Sequence, residues 1–200
     1  MVDVVSHNLF PTVVHQFTLD ISYLDKKQMI SYINEGKLKP NGMKQTEDDI
    51  HKMSYFKNFK NEIITLNKTI LDKLEYEYED ILITSMWGNL LFPSQTHSPH
   101  THSNNFLSGV FYLQSDDLSG EIEFFDPRPQ AGVLSPRIKK GIMENSNAIG
   151  FEPKDNMGLI FPSWLQHWVQ PTNSKRISLS WNILVKGHYG APNTLQNAYI

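Results

Sequence analysis

The stretch GLIFPSWLQHWVQPTNSKRISLSWN, residues 158–182, decides the fold. It reads as strand, bend, strand, turn, strand, with runs of β-forming residues bounded by Pro162-Ser163 and by the polar turn Pro171–Lys175. In its last part Arg176, Ser178, Ser180 and Asn182 alternate with Ile177, Leu179 and Trp181. The polar members therefore share one face of a strand and the apolar members the other. An antiparallel hairpin through the turn brings Arg176 onto the strand beside His167. Burying an arginine within such a sheet is costly unless it has a partner or a task. The plainer reading is a sheet side that faces water.

The same character extends back to residue 80. DILITSMWGNLLF (80–92), NFLSGVFYLQ (105–114) and GEIEFFD (120–126) are short β runs between turn signals. Their spacing predicts an antiparallel sandwich or barrel, in a mainly β, α+β chain. Residues 1–79 differ. A short β segment lies within NLFPTVVHQFTLDI (8–21), and a helix follows over residues 23–37, closed by Gly36. After a polar loop at 39–49, a second helix is predicted over Ser54–Glu75. Its stripe of Phe56, Phe59, Ile63, Leu66, Ile70 and Leu74 would pack on one sheet. The simplest organisation is one domain over 1–200, with an N-terminal strand and helices (1–79) and a β core (80–190). Residues 127–157, with four prolines, read as a long excursion and a candidate lid over a substrate.

Composition narrows the chemistry. Cysteine is absent, which excludes disulfides, thiolate metal sites and a cysteine nucleophile, and fits a cytoplasmic location. A net charge of −3 and a pI near 6.2 give no electrostatic case for nucleic acid. No run is long enough to span a bilayer, and no basic leader precedes an apolar stretch.

Three of the eight histidines, His97, His100 and His102, stand in QTHSPHTHSNN, residues 95–105. Residues two apart on an extended strand share a face, so His100 and His102 could converge on one metal ion. A lone His-x-His is a weak signal, since exposed histidines in Ser/Thr-rich loops are common. His97 is an odd number of positions from His100, beyond Pro99, and is expected to point elsewhere. His7, His15, His51 and His188 show no ligand spacing.

HTHSNNFLSGVFYL, GEIEFFDPRP, GLIFPSWLQHWVQP and RISLSWN together resemble the marker segments of a 2-oxoglutarate- and iron(II)-dependent oxygenase family, similar to the prolyl-4-hydroxylase-like superfamily. NLFPTVVHQFTLD is similar to that family's N-terminal segment. The resemblance implies a double-stranded β-helix, a cupin-like jelly roll with iron at its open end. It implies His100, His102 and His167 as metal ligands, and Arg176 with Ser178 for the far carboxylate of 2-oxoglutarate. A guanidinium fork matches a carboxylate better than an ammonium does. Tyr112 and Asn89 are further candidates for the co-substrate pocket, with core packing or strand pairing as the alternative for each. The implied reaction uses Fe(II), O2 and 2-oxoglutarate, releases succinate and CO2, and hydroxylates a substrate that is a small molecule or a protein side chain.

One departure matters. The superfamily's usual first motif is His-x-Asp, and here His102 stands where the acid would be. Either three histidines hold the metal, the reading we favour, or a carboxylate comes from elsewhere, with Asp126 the first candidate. An all-nitrogen site also suits zinc, which keeps open a cupin-like enzyme that binds no 2-oxoglutarate. A non-catalytic jelly-roll module is the third possibility. Arg128 reads as a structural partner of Asp126, and Trp164 and Trp168 as packing beside the site to exclude water.

Overall fold

The alternation in residues 176–182 becomes the division between two hydrophobic cores. Ile177, Leu179 and Trp181 pack with Phe59 and Ile63, while Arg176, Ser178, Ser180 and Asn182 are buried on the opposite side or nearly so. The plain expectation that the polar face meets water does not hold; it lines the interior.

The structure, a computed structural model, describes residues 2–40 and 42–200. In chain order its elements are β1 (His15–Thr18), α1 (Tyr23–Asn34), β2 (Lys37–Leu38), β3 (Lys44–Gln45), α2 (Lys57–Lys73), β4 (Asp80–Leu91) and β5 (His97–His100). Then come β6 (Leu107–Gln114), β7 (Ile122–Phe125), β8 (Ala148–Phe151), β9 (Met157–Pro162), β10 (His167–Val169), β11 (Arg176–Lys186), β12 (His188–Tyr189) and β13 (Ala198–Tyr199). Seven strands form one sheet in the order β1-β9-β6-β11-β4-β3-β2, and four form a second, β5-β10-β7-β8. From β4 onward the chain crosses repeatedly between the sheets, which is the winding of a double-stranded β-helix.

Each face of the larger sheet has its own core. Outside, α1 and α2 bring Met29, Ile33, Phe59 and Ile63 against Leu179 and Trp181. Between the sheets, Val110, Tyr112, Leu159 and Phe161 meet Ile122 and Phe124. The close fit on the outer side requires Gly109, which pairs with Trp181 across β6 and β11. A Cβ at Gly109 would lie 2.2 Å from Cζ2 of that indole.

Several expected boundaries shift. The predicted second helix begins as a 3-10 turn, Ser54–Phe56, and becomes α-helical only over Lys57–Lys73. Its buried face includes Asn67 and Leu71, whereas Leu74 is 40% exposed. Leu74 caps the helix, so the helical spacing no longer applies there. The polar loop at 39–49 contains part of a small hairpin, β2 with β3, and β3 extends the large sheet beside β4. Strand β8 pairs with β7 inside the expected excursion 127–157, which shortens it to the segment between those strands. No helix among the described residues is long and apolar enough to cross a membrane.

Candidate functional site

Each histidine of the cluster reaches it by a different local device. His167 opens β10, an inner strand of the smaller sheet, between His100 on β5 and Phe124 on β7. His100 ends β5. His102 is not on a continuing strand; it sits in the turn that leads to β6 and is tied down when its backbone N–H donates to the Ser163 carbonyl, 2.9 Å. Asn104 closes that turn at φ 61°, a left-handed conformation that Asn tolerates better than most residues.

The three side chains can each offer one ligand atom, all within 4.8 Å of one another. The Nε2 atoms of His102 and His167 lie 3.4 Å apart. A six-coordinate ion with metal–nitrogen bonds of about 2.1 Å has adjacent ligands roughly 3 Å apart, so the His102–His167 pair is nearly at ligand spacing and the full set would close on one ion by drawing its donors together. Nδ1 of His167 lies 2.9 Å from the Leu165 carbonyl, and Nδ1 of His100 lies 2.7 Å from that of Ser98. A carbonyl only accepts, so both Nδ1 atoms carry the proton and leave the Nε2 lone pairs free for a metal. Burial, followed by the charge of His100, pushes the His102 imidazole down to about 4. Burial also dominates at His167, lowered to about 3 against the opposing hydrogen bond to Leu165. Neutral imidazole is the form that binds metal.

Next to the cluster a cavity of about 230 Å³ opens between the sheets. Arg176 lines it, is 1% exposed, and pairs with no carboxylate among the described residues. Its guanidinium carbon lies 4.8 Å over the Tyr112 ring. Arg176 Nε, the Tyr112 hydroxyl and Asn89 Oδ1 are buried without a hydrogen-bond partner. Burial raises the Tyr112 phenol above its ordinary value, so it stays protonated and can donate. Register places Ser178 beside both Asn89 and Tyr112. The Arg176 guanidinium and the Tyr112 hydroxyl are donors facing a space that suits an anion, whereas Asn89 Oδ1 is an acceptor and its Nδ2 already donates to Ser180.

Asp126 lies outside the cluster. Its carboxylate takes a fork from Arg128, with Oδ1 to Nε at 2.9 Å and Oδ2 to Nη2 at 2.8 Å, and that bond holds it below the usual carboxylate range. Trp164 is 57% exposed, and Trp168 on β10 alternates away from His167 to donate to Glu123, so neither fills the water-excluding role expected of them. Trp87 stands in that position instead, its ring 6.0 Å from that of His102. His97 also lines the cavity, against expectation. Behind the cluster, Ser108 donates to Asn182 Oδ1 at 2.7 Å and lies 2.8 Å from Ser163, while Asn182 donates to Ser85 at 2.9 Å. This buried network anchors Ser163, whose carbonyl holds His102.

A double-stranded β-helix with clustered imidazoles beside a buried arginine that meets no carboxylate among the described residues is the arrangement expected of a 2-oxoglutarate and iron(II) oxygenase. Residues 85–182 match the sequence model of the family described as "Putative 2OG-Fe(II) oxygenase". The matched segment carries the three histidines, the cavity arginine and most of the strands that support them. Among curated proteins none matches the chain. Solved structures confirm the fold. A Pseudomonas putida prolyl-4-hydroxylase is 14% identical, with a TM-score of 0.61 over 86% of this chain and 92% of that one. The non-heme alpha-ketoglutarate-dependent epimerase SnoN of nogalamycin biosynthesis is 10% identical, with a TM-score of 0.64 over 92% and 83%. The collagen prolyl hydroxylase of Paramecium Bursaria Chlorella virus-1 is 12% identical, with a TM-score of 0.57 over 85% and 94%.

Proposed function

We propose that this oxygenase hydroxylates a small molecule or a protein side chain, with His100, His102 and His167 holding Fe(II) and Arg176 holding the far carboxylate of 2-oxoglutarate. Bound iron and co-substrate supply the oxidising chemistry, in which O2 is consumed and 2-oxoglutarate leaves as succinate and CO2. The protein's residues set the geometry. Nδ1–H bonds from His100 and His167 to backbone carbonyls fix two ring tautomers. Ser178, Tyr112 and Asn89 complete the polar wall around the co-substrate. Asp126 serves as the structural partner of Arg128, and the ligand set is all imidazole.

One observation carries this reading: a fully buried guanidinium without a carboxylate partner opens onto the cavity that the three imidazoles share. A zinc-type, cupin-like enzyme would use the imidazoles but leave Arg176 unexplained. We also take the chain to act as one oxygenase unit in the cytoplasm, in keeping with its lack of cysteine.

The test is co-substrate turnover. Purified protein with Fe(II), 2-oxoglutarate and air should form succinate, detected by NMR, and the His167→Ala and Arg176→Met variants should not. No succinate from iron-loaded wild type, or equal amounts from all three proteins, would overturn the proposal.

A further inference from the structure

On a regular strand His97 and His100, an odd number of residues apart, would face opposite ways. The pairing of β5 with β10 is not regular. His100 pairs with His167 and His97 with Val169, so three steps along β5 match two along β10, with a register shift between the pairs. An extra residue on one strand is a β-bulge, and it turns the following side chain to the other face. Pro99 lies within the shifted step, on an edge strand, where proline is tolerated. Both His97 and His100 therefore face the cavity.

The position of His97 along the cavity is specific. It lies two β10 residues beyond the metal row, roughly 7 Å at the usual rise per strand residue. That is about the reach of a dicarboxylate whose keto end lies at the metal. Val169 and Ile122 form the same cross-strand row and are apolar, so His97 is the polar side chain of that end of the smaller sheet. Arg176 belongs to the facing sheet and is close enough for its charge to act on the His97 ring. No described residue hydrogen-bonds to the imidazole of His97. Burial, then the charges of Arg176 and His100, lower it to about 4, so it enters the site as a neutral ring with one N–H to give.

We infer that His97 is a second anchor for the distal carboxylate of the co-substrate, donating an N–H from the smaller sheet while Arg176 grips from the larger one. This rests on the 2-oxoglutarate reading above. It makes His97 a positioning and specificity residue: clamped from both sheets, the dicarboxylate is distinguished from 2-oxo acids that end in a methyl group. The His97 ring, and the guanidinium whose Nε has no partner, then share one ligand.

The test measures binding of 2-oxoglutarate and of 2-oxobutyrate, which lacks the distal carboxylate, to Mn(II)-loaded protein by calorimetry. His97→Phe should weaken 2-oxoglutarate about tenfold or more, the loss expected for one hydrogen bond to a charged group. Affinity for 2-oxobutyrate and for Mn(II) should stay within about twofold by the same arithmetic, which also shows that the variant is folded. His97→Gln, which keeps an N–H donor, should recover most of the difference. Equal 2-oxoglutarate affinity in wild type and His97→Phe overturns the inference while leaving the oxygenase reading intact. So does an equal loss for both acids, which would mark His97 as structural. If wild type takes up Mn(II) but no 2-oxoglutarate, the parent reading falls and the inference with it.

Discussion

Replacing Arg176 with methionine should move stability and co-substrate affinity in opposite directions. Without ligand, the guanidinium is 1% exposed and offset chiefly by the face of Tyr112 at 4.8 Å. A cation–π contact returns on the order of 2 kcal/mol, less than the several kcal/mol that desolvating an ion costs. Methionine fills similar space without charge, so the ligand-free protein should gain about 1–3 kcal/mol, by analogy with buried ionic groups replaced by apolar ones. For a chain of this length that is a rise of several degrees in Tm, at about 2–4 °C per kcal/mol. Binding should suffer. Two charge-assisted hydrogen bonds to a carboxylate contribute about 3–6 kcal/mol together, so the Kd for 2-oxoglutarate should rise by roughly two to four powers of ten. Scanning calorimetry of the metal-free protein and calorimetric titration of the Mn(II)-loaded protein read the two effects separately. A variant that melts lower and binds 2-oxoglutarate normally would refute the reasoning, because Arg176 would then be a structural cation.

Other outcomes follow from neighbouring features. Gly109→Ala should cost about 1–3 kcal/mol through overpacking against Trp181, read as a lower urea midpoint; an unchanged midpoint would mean the indole has room to move. Asn182→Ala breaks the network behind Ser163 and should weaken Fe(II) binding by about 10–100-fold, as loss of a supporting shell does, with a metal-affinity titration as the check. Metal-free protein should lose stability in mild acid. His97, His102 and His167 are lowered to about 4, about 4 and about 3, so below pH 6.5 the unfolded chain takes up protons that the folded one refuses until between about pH 4 and about pH 3. Stability is therefore full above pH 6.5 and falls from there to about pH 3. Urea midpoints at pH 7.5 and 5 should show the drop, and His102→Phe should reduce it.

Much of this architecture is legible in local pattern. The Arg176–Asn182 alternation separates an apolar from a polar face, but alternation alone does not say that the polar face is interior; the packing of the smaller sheet over it decides that. Periodicity finds α2 because one buried stripe runs its length. The resemblance, rather than spacing, connects His100 and His102 to His167, since 65 residues separate His102 from His167 and only the crossing between sheets joins them. Short pairings escape notice. Strands β2, β3 and β8 are two to four residues long, and tertiary contacts rather than composition hold them. His97 is hidden by parity, and Pro99 in an edge strand is the signal that could have pointed to the bulge. Trp164 and Trp168 mislead because proximity in sequence to His167 says nothing of which face they take, whereas Trp87, remote in sequence, sits beside His102.

The most direct measurement is an anaerobic absorbance titration of metal-free protein with Fe(II) and 2-oxoglutarate, repeated on His102→Ala and Asp126→Asn. A saturable visible charge-transfer band that needs both additions is expected, kept in Asp126→Asn and lost in His102→Ala. No band in the wild type, or a band that survives His102→Ala and vanishes in Asp126→Asn, would contradict a three-histidine iron and 2-oxoglutarate site.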